Sequence, residues 1–124
     1  MAPFPFPKPS SIRKSIVCLG EAVVDFVATD PGSLAEARFF EKTAGGAPAN
    51  VAAGLARLGV PSAFVGKLGD DAFGRYLADV LGQQGVDVSG IVFSGAHRTC
   101  FAFVLPLTRC LGSPIFLLQL ILEA

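Results

Sequence analysis

The segment Ala44-Gly45-Gly46-Ala47-Pro48-Ala49-Asn50 constrains the fold more than any other part of the chain. Two adjacent glycines followed by a proline predict a tight turn feeding a helix, because proline is tolerated in the first helical turn, where its missing N–H has no partner to lose. Val51, Leu55 and Leu58 follow at i, i+4 and i+7 and fall on one helical face. Gly59 is placed to end the helix in the left-handed conformation, and Pro61 prevents its return. The chain is thus expected to enter and leave a helix at defined points, with an extended element on either side.

Those flanking elements can be read in the same way. Ile16–Leu19 is a short apolar run that suits a buried strand, and Glu21–Val27 continues as extended chain with Asp25 among apolar neighbours. Asp30-Pro31-Gly32-Ser33 is a turn, and Ala35–Thr43 fits neither period. Ala63–Val65 is a strand. Asp70 is the expected N-cap of a second helix whose apolar face carries Phe73, Leu77, Val80 and Leu81, closed by Gly82 or Gly85. Ile91–Phe93 and Cys100–Leu105 are two further strands. Short apolar strands alternating with amphipathic helices predict an α/β fold with a mainly parallel sheet.

The remainder of the chain narrows the class. Its 124 residues allow one small domain, and 52% are hydrophobic. Ten basic residues balance ten acidic ones, so no basic surface is available for nucleic acid or an anionic membrane. Residues 1–14 are rich in proline and are expected to be a disordered leader, with neither the apolar core of a signal peptide nor the arginines of a transit peptide. A cytoplasmic location is expected. The run Ile115–Leu122 is too short to span a bilayer, which takes roughly 20 apolar residues. Cys18, Cys100 and Cys110 form no C-x-x-C pair and are expected to be small buried side chains in a reducing compartment.

Two features carry candidate chemistry. The Gly45-Gly46 turn leaves its backbone open to close approach, and the helix behind it directs free N–H groups and a partial positive charge at the turn. Asn50, the chain's single asparagine, offers a donor and an acceptor in the first turn. Asp25, on an early strand, could accept two hydrogen bonds from a polyol. An ordinary strand-to-helix turn and a capping carboxylate account for these residues equally well. Asp70-Asp71 reads as a cap rather than a metal pair, and His97 as a surface histidine. The P-loop G-x-x-x-x-G-K-[ST] is absent, since Gly66-Lys67 is followed by Leu68, and no G-x-G-x-x-G exists.

The string GGAPANVAAGLARLGVPSAFVGKLGDDAFGRYLADVL (Gly45–Leu81) resembles the N-terminal signature of the pfkB, or ribokinase-like, carbohydrate kinases, and GEAVVDF upstream resembles that family's first strand. The Ala-Pro-Ala-Asn form of the turn is most like fructokinases, those of plants in particular. The resemblance covers Ser15 to Leu105. It implies the N-terminal part of a three-layer α/β/α fold with a small β-sheet lid, incomplete here. Ala35–Thr43 and Ile91–Leu105 would supply lid strands. Asp25, Gly45, Gly46 and Asn50 would bind sugar, with Ala102 and Phe103 facing it from the lid.

By the same resemblance the activity is phosphoryl transfer from ATP, with magnesium, to fructose. The family's catalytic aspartate sits in a G-A-G-D motif that this sequence lacks, so the catalytic set within the chain is none. The chain is expected to be truncated before the ATP site and inactive alone. Residues 106–124 resemble nothing in the family and form a divergent apolar tail that could patch an exposed core. Two alternatives remain: a non-catalytic regulatory or interaction fragment, able to dimerise through lid strands, or a relative acting on another acceptor such as ribose or a nucleoside.

Overall fold

The structure is a computed structural model that describes residues 15–106 and the backbone of 116–121. The proline-rich leader, Cys110 and the rest of the tail lie outside the described residues. In chain order the elements are β1 (Ile16–Leu19), β2 (Val23–Ala28), β3 (Phe40–Gly45), α1 (Ala47–Arg57), β4 (Ser62–Gly69), α2 (Ala72–Gln83), β5 (Asp87–Ser94), β6 (Phe101–Pro106) and β7 (Phe116–Ile121).

The strands form two sheets. The first is parallel throughout, in the order β1-β4-β5, with Ile16 opposite Ser62 and Leu68 opposite Phe93. The chain runs from β1 through β2, β3 and α1 into β4, and from β4 through α2 into β5. Right-handed crossovers running the same way across a sheet place both helices on one face. The buried cluster agrees: Cys18, Phe64 and Leu68 of the sheet pack with Ala52 and Ala53 of α1 and with Leu77 and Leu81 of α2. The opposite face, carrying Val17, Leu19 and Val92, is exposed. The second sheet has the order β3-β2-β6-β7, with β2 and β6 parallel and the outer pairs antiparallel.

Helix α1 starts and stops where the glycines and prolines predict. Gly46 is its N-cap at φ 102° and Pro48 lies in its first turn, while Gly59 at φ 77° follows the C-cap Leu58. Its buried face differs from the expected one. Ala49, Ala52 and Ala53 are buried, whereas Val51 is 56% and Leu58 81% exposed. Alanine lets the helix axis approach the sheet closely, and the larger side chains are turned outward. Ser62 adds to this close contact by donating from Oγ to the Ala52 carbonyl over 2.8 Å, a buried bond between β4 and α1.

Further corrections concern boundaries and roles. Asp71, not Asp70, caps α2: its Oδ1 accepts from the N–H groups of Phe73 (3.0 Å) and Gly74 (2.8 Å). Asp70 is exposed and pairs with Arg75. Gly85, at φ 89°, and not Gly82 makes the turn that ends α2. Ile91–Phe93 belongs to β5 of the parallel sheet and not to the second sheet, because it is delivered by the α2 crossover beside β4. Cys18 is buried as expected, but Cys100 is exposed. Residues 116–121 form a strand along β6 and therefore extend the second sheet, leaving the bare face of the first as it is.

Candidate functional site

The site is built where the second sheet meets the start of α1. Asp25 lies in the middle of β2, opposite Thr43 of β3 on one side and Ala102 of β6 on the other. Alternation along a strand places these three residues on one face of the sheet. Ala102 is almost fully buried, which keeps that part of the face low and apolar. Phe26, one residue on, faces the opposite way. There it stacks on Phe103 (centroids 5.4 Å apart, 22° between planes) and meets Phe101 and Phe73 edge to face. Phe103 also packs edge to face on Phe40. Of the two lid residues implied by resemblance, Ala102 shares the face of Asp25, and Phe103 lies on the other side.

The two glycines have separate tasks. A Cβ on Gly45 would collide with the Asp25 carboxylate, coming within 2.6 Å of Cγ. A Cβ on Gly46 would come within 2.6 Å of the Glu21 carbonyl oxygen and 2.8 Å of the Ala22 Cα. The absence of both side chains thus lets the entry to α1 press against β2 and seats the carboxylate against backbone. Gly46 gives α1 no side-chain cap, so the first N–H groups of the helix remain open to other acceptors. Asn50 is in this first turn, its N–H bonded to the Gly46 carbonyl (2.9 Å) and its side chain exposed.

Asp25 is electrostatically unusual. Its Oδ1 is buried and has no hydrogen-bond partner among the described residues. Burial disfavours the charged form and pushes the carboxyl above the ordinary aspartate range. An unpaired buried acceptor is costly, roughly 1–3 kcal/mol. A ligand hydroxyl donating to it would remove that cost. Gly45 and Asn50 also line a cleft of about 320 Å³ between α1 and α2, to which Asp25 does not contribute. Thr43, beside Asp25 on the same face, is the neighbour that sequence reasoning missed. The signal was present in the two-residue spacing of Thr43 and Gly45, but it needed the pairing of β2 with β3 to acquire meaning.

His97 is exposed, as expected, and its Nδ1 lies 3.1 Å from Ser94 Oγ. Among the described residues no group of three or more His, Cys, Asp or Glu comes together to hold a metal ion.

The chain resembles known proteins along most of its length. Residues 13–108 match the family described as pfkB family carbohydrate kinase. The chain is 59% identical over 90 residues to a probable fructokinase-7 of Arabidopsis thaliana, covering 72% of this chain and 26% of that protein. It is 57% identical over 93 residues to fructokinase-1 of Zea mays, covering 74% and 29%. Among solved structures, a sugar kinase of Pyrococcus horikoshii in complex with ATP superposes with a TM-score of 0.74 at 43% identity, over 84% of this chain and 33% of that one. A fructokinase of Xylella fastidiosa with bound ATP gives 0.69 at 40% identity, over 88% and 34%. The chain therefore spans about a quarter to a third of the length of these four proteins. Its parallel sheet with two crossover helices, and the second sheet over the glycine turn, are a partial ribokinase-like α/β domain, and the chain belongs to the pfkB family of carbohydrate kinases.

Proposed function

We propose that residues 15–106 form the sugar-binding side of a fructokinase-type kinase, with D-fructose as the acceptor that becomes fructose 6-phosphate in the complete reaction. The observation that carries this reading is the buried, unpartnered Oδ1 of Asp25 held against Gly45. It supplies a charged acceptor for a sugar hydroxyl, and charge-assisted hydrogen bonds are roughly twice as strong as neutral ones. Gly45 and Gly46 seat the carboxylate and the entry to α1, Asn50 offers a donor and an acceptor beside them, and the buried Ala102 keeps the strand next to Asp25 small. Phe103 acts on the sugar indirectly, by fixing Phe26 and with it the strand that carries Asp25.

ATP is bound in the Pyrococcus and Xylella structures, which supports ATP as the phosphoryl donor. Magnesium, usually held by one or two carboxylates together with the substrate phosphates, belongs in this proposal to the complete reaction. Transfer of a phosphoryl group depends on positioning and on charge stabilisation around the moving group. We accordingly assign this chain sugar capture without turnover of its own. The expected result is fructose binding by calorimetry or NMR titration, weakened at least tenfold in Asp25→Asn, with no ATP-dependent phosphorylation. Equal binding by wild type and variant would remove Asp25 from the site, and turnover above that of the variant would overturn the assignment of capture alone.

No helix among the described residues is long and apolar enough to cross a membrane. A cytoplasmic location belongs to the same proposal. It is open to direct test by fluorescent fusion, because one relative, 53% identical, is a probable fructokinase-6 named as chloroplastic.

The exposed face of Val17, Leu19 and Val92 favours a second reading, a fragment that acts by binding another polypeptide. Pairing of lid strands between copies would use the outer strands β3 or β7, since β2 and β6 are both internal. Sedimentation of the pure chain separates these cases: a dimer lost on charging the edge of β3 supports strand pairing, and a monomer excludes it.

A further inference from the structure

The cleft between α1 and α2 has a construction of its own. Asn50, Ala53, Gly54 and Arg57 follow the i, i+3, i+4, i+7 spacing and form one stripe of α1. Leu77, Val80, Leu81 and Gln84 repeat that spacing on α2 and form the facing wall. Between them lies the volume of about 320 Å³, apolar in the middle and polar at both ends. Asn50 and Arg57 are separated by seven residues, about 10 Å at 1.5 Å per residue.

Three observations set this cleft apart from a packing defect. Gly54 stands in mid-helix, where glycine costs about 1 kcal/mol relative to alanine. Its φ is not positive, and a Cβ built there would meet nothing within 4 Å. Neither the backbone nor a neighbouring atom requires glycine there, and Gly54 lines the cleft. Secondly, Gln84 Oε1 is buried and unpartnered among the described residues, and Gln84 lines the cleft. Thirdly, Arg57 is exposed at the same end and forms no salt bridge among the described residues.

We propose that this cleft is a binding site for a phosphorylated sugar, which shares Gly45 and Asn50 with the proposed fructose site but does not include Asp25. The phosphate meets the Arg57 guanidinium, whose planar fork suits paired phosphate oxygens. A sugar hydroxyl is both donor and acceptor and satisfies the buried amide end of Gln84 in either orientation of that amide. The carbon side of the ring lies against Leu77 and Val80, and Asn50 meets a hydroxyl at the far end. A free sugar lacks the anion, and inorganic phosphate lacks the ring, so each fills only part of the site. The inference stands on the cleft and does not depend on Asp25.

The test is an NMR titration of the full chain with fructose 6-phosphate, with fructose and inorganic phosphate as partial probes. Shifts are expected at the amides of Asn50, Gly54, Arg57 and Gln84, with binding at least tenfold weaker for phosphate alone. Arg57→Met, at an exposed position, should weaken fructose 6-phosphate binding tenfold or more. Gly54→Leu fills the cleft and improves the helix, so it should abolish binding while raising the thermal midpoint. Asp25→Asn should leave the shifts at Gly54, Arg57 and Gln84 unchanged, whatever it does to binding at Asp25 itself. Shifts absent from the cleft, their retention in Gly54→Leu, their loss in Asp25→Asn, or equal affinity of the cleft for bare phosphate would each overturn the proposal.

Discussion

Asp25 and Asp71 are the same residue in comparable settings, yet the fold treats them in opposite ways. Each is half-buried and each lies beside the start of a helix. Asp71 is fully used. Its Oδ1 accepts from Phe73 N, Gly74 N and Thr99 Oγ1, and its Oδ2 accepts from Thr99 N at 2.9 Å. Burial works against its charge, but bonds from Thr99, Gly74 and Phe73 outweigh that and hold the carboxyl below the ordinary range. Asp25 has burial without this compensation. A carboxylate whose hydrogen bonds are met within the chain is part of the scaffold. One left unmet among the described residues is open to a partner from outside them, and in this molecule the distinction separates the clamp on α2 from the candidate sugar site.

The largest effect should come from removing the satisfied member. Asp71→Ala deletes the α2 cap, worth about 1 kcal/mol, together with the two bonds that tie α2 to the approach to β6. A loss of roughly 2–4 kcal/mol in urea unfolding is expected. A change below about 0.5 kcal/mol would show that the cap and the Thr99 tie are replaced by water without cost. Thr99→Val, which removes only the hydroxyl, should fall between that variant and wild type.

Next is the contact that confines Asp25. Gly45→Ala forces a methyl into the carboxylate and should cost about 1–3 kcal/mol, the usual range for overpacking. In an Asp25→Ala background the obstacle is gone, so at least half of that cost should disappear in a double-mutant cycle. Additive effects would mean that Gly45 is required for its backbone and not for its neighbour. Asp25→Asn alone should leave the thermal midpoint unchanged or raised, the reverse of Asp71→Asn, because it discharges a group that folding buries without a partner.

The sequence disclosed the parts of this arrangement that depend on short-range rules. Gly46, Pro48 and Gly59 fixed the ends of α1 through left-handed backbone and a missing donor, and the structure keeps them. The motif from Gly45 to Leu81 led to the family by resemblance, and the family match and the superpositions bear this out. What could not be read was set by tertiary contacts. Asp70 and Asp71 are indistinguishable as caps until Thr99, 28 residues away in sequence, is brought alongside one of them. Alanines were not legible as the buried face of α1, because apolar periodicity gives weight to Val51 and Leu58. Ile91–Phe93 could be assigned to a sheet only once the α2 crossover was known, and the opposite orientations of Ala102 and Phe103 followed only from the register of β6 on β2.

The smallest expected effect is also the one in which the two aspartates differ in sign. Asp25 has a folded pKa raised above 3.8, so the stability linked to its protonation is present below 3.8 and lost as pH rises through the raised value. Asp71 has a folded pKa lowered below 3.8, so its contribution is present above 3.8 and lost as pH falls through the lowered value. Glu36 and Asp87 are also lowered, by hydrogen bonds from Ser33 and Ser89, and add a background of the Asp71 sign. Comparing each Asn variant with wild type at every pH removes that background. Urea unfolding between pH 2 and pH 7 should show Asp25→Asn gaining on wild type as pH rises above 3.8. The deficit of Asp71→Asn should shrink as pH falls below 3.8. Both trends are reduced by solvent screening at half-exposed groups. Parallel curves for the two variants would break the comparison, because they would place the two carboxylates in the same electrostatic environment despite their different hydrogen bonding.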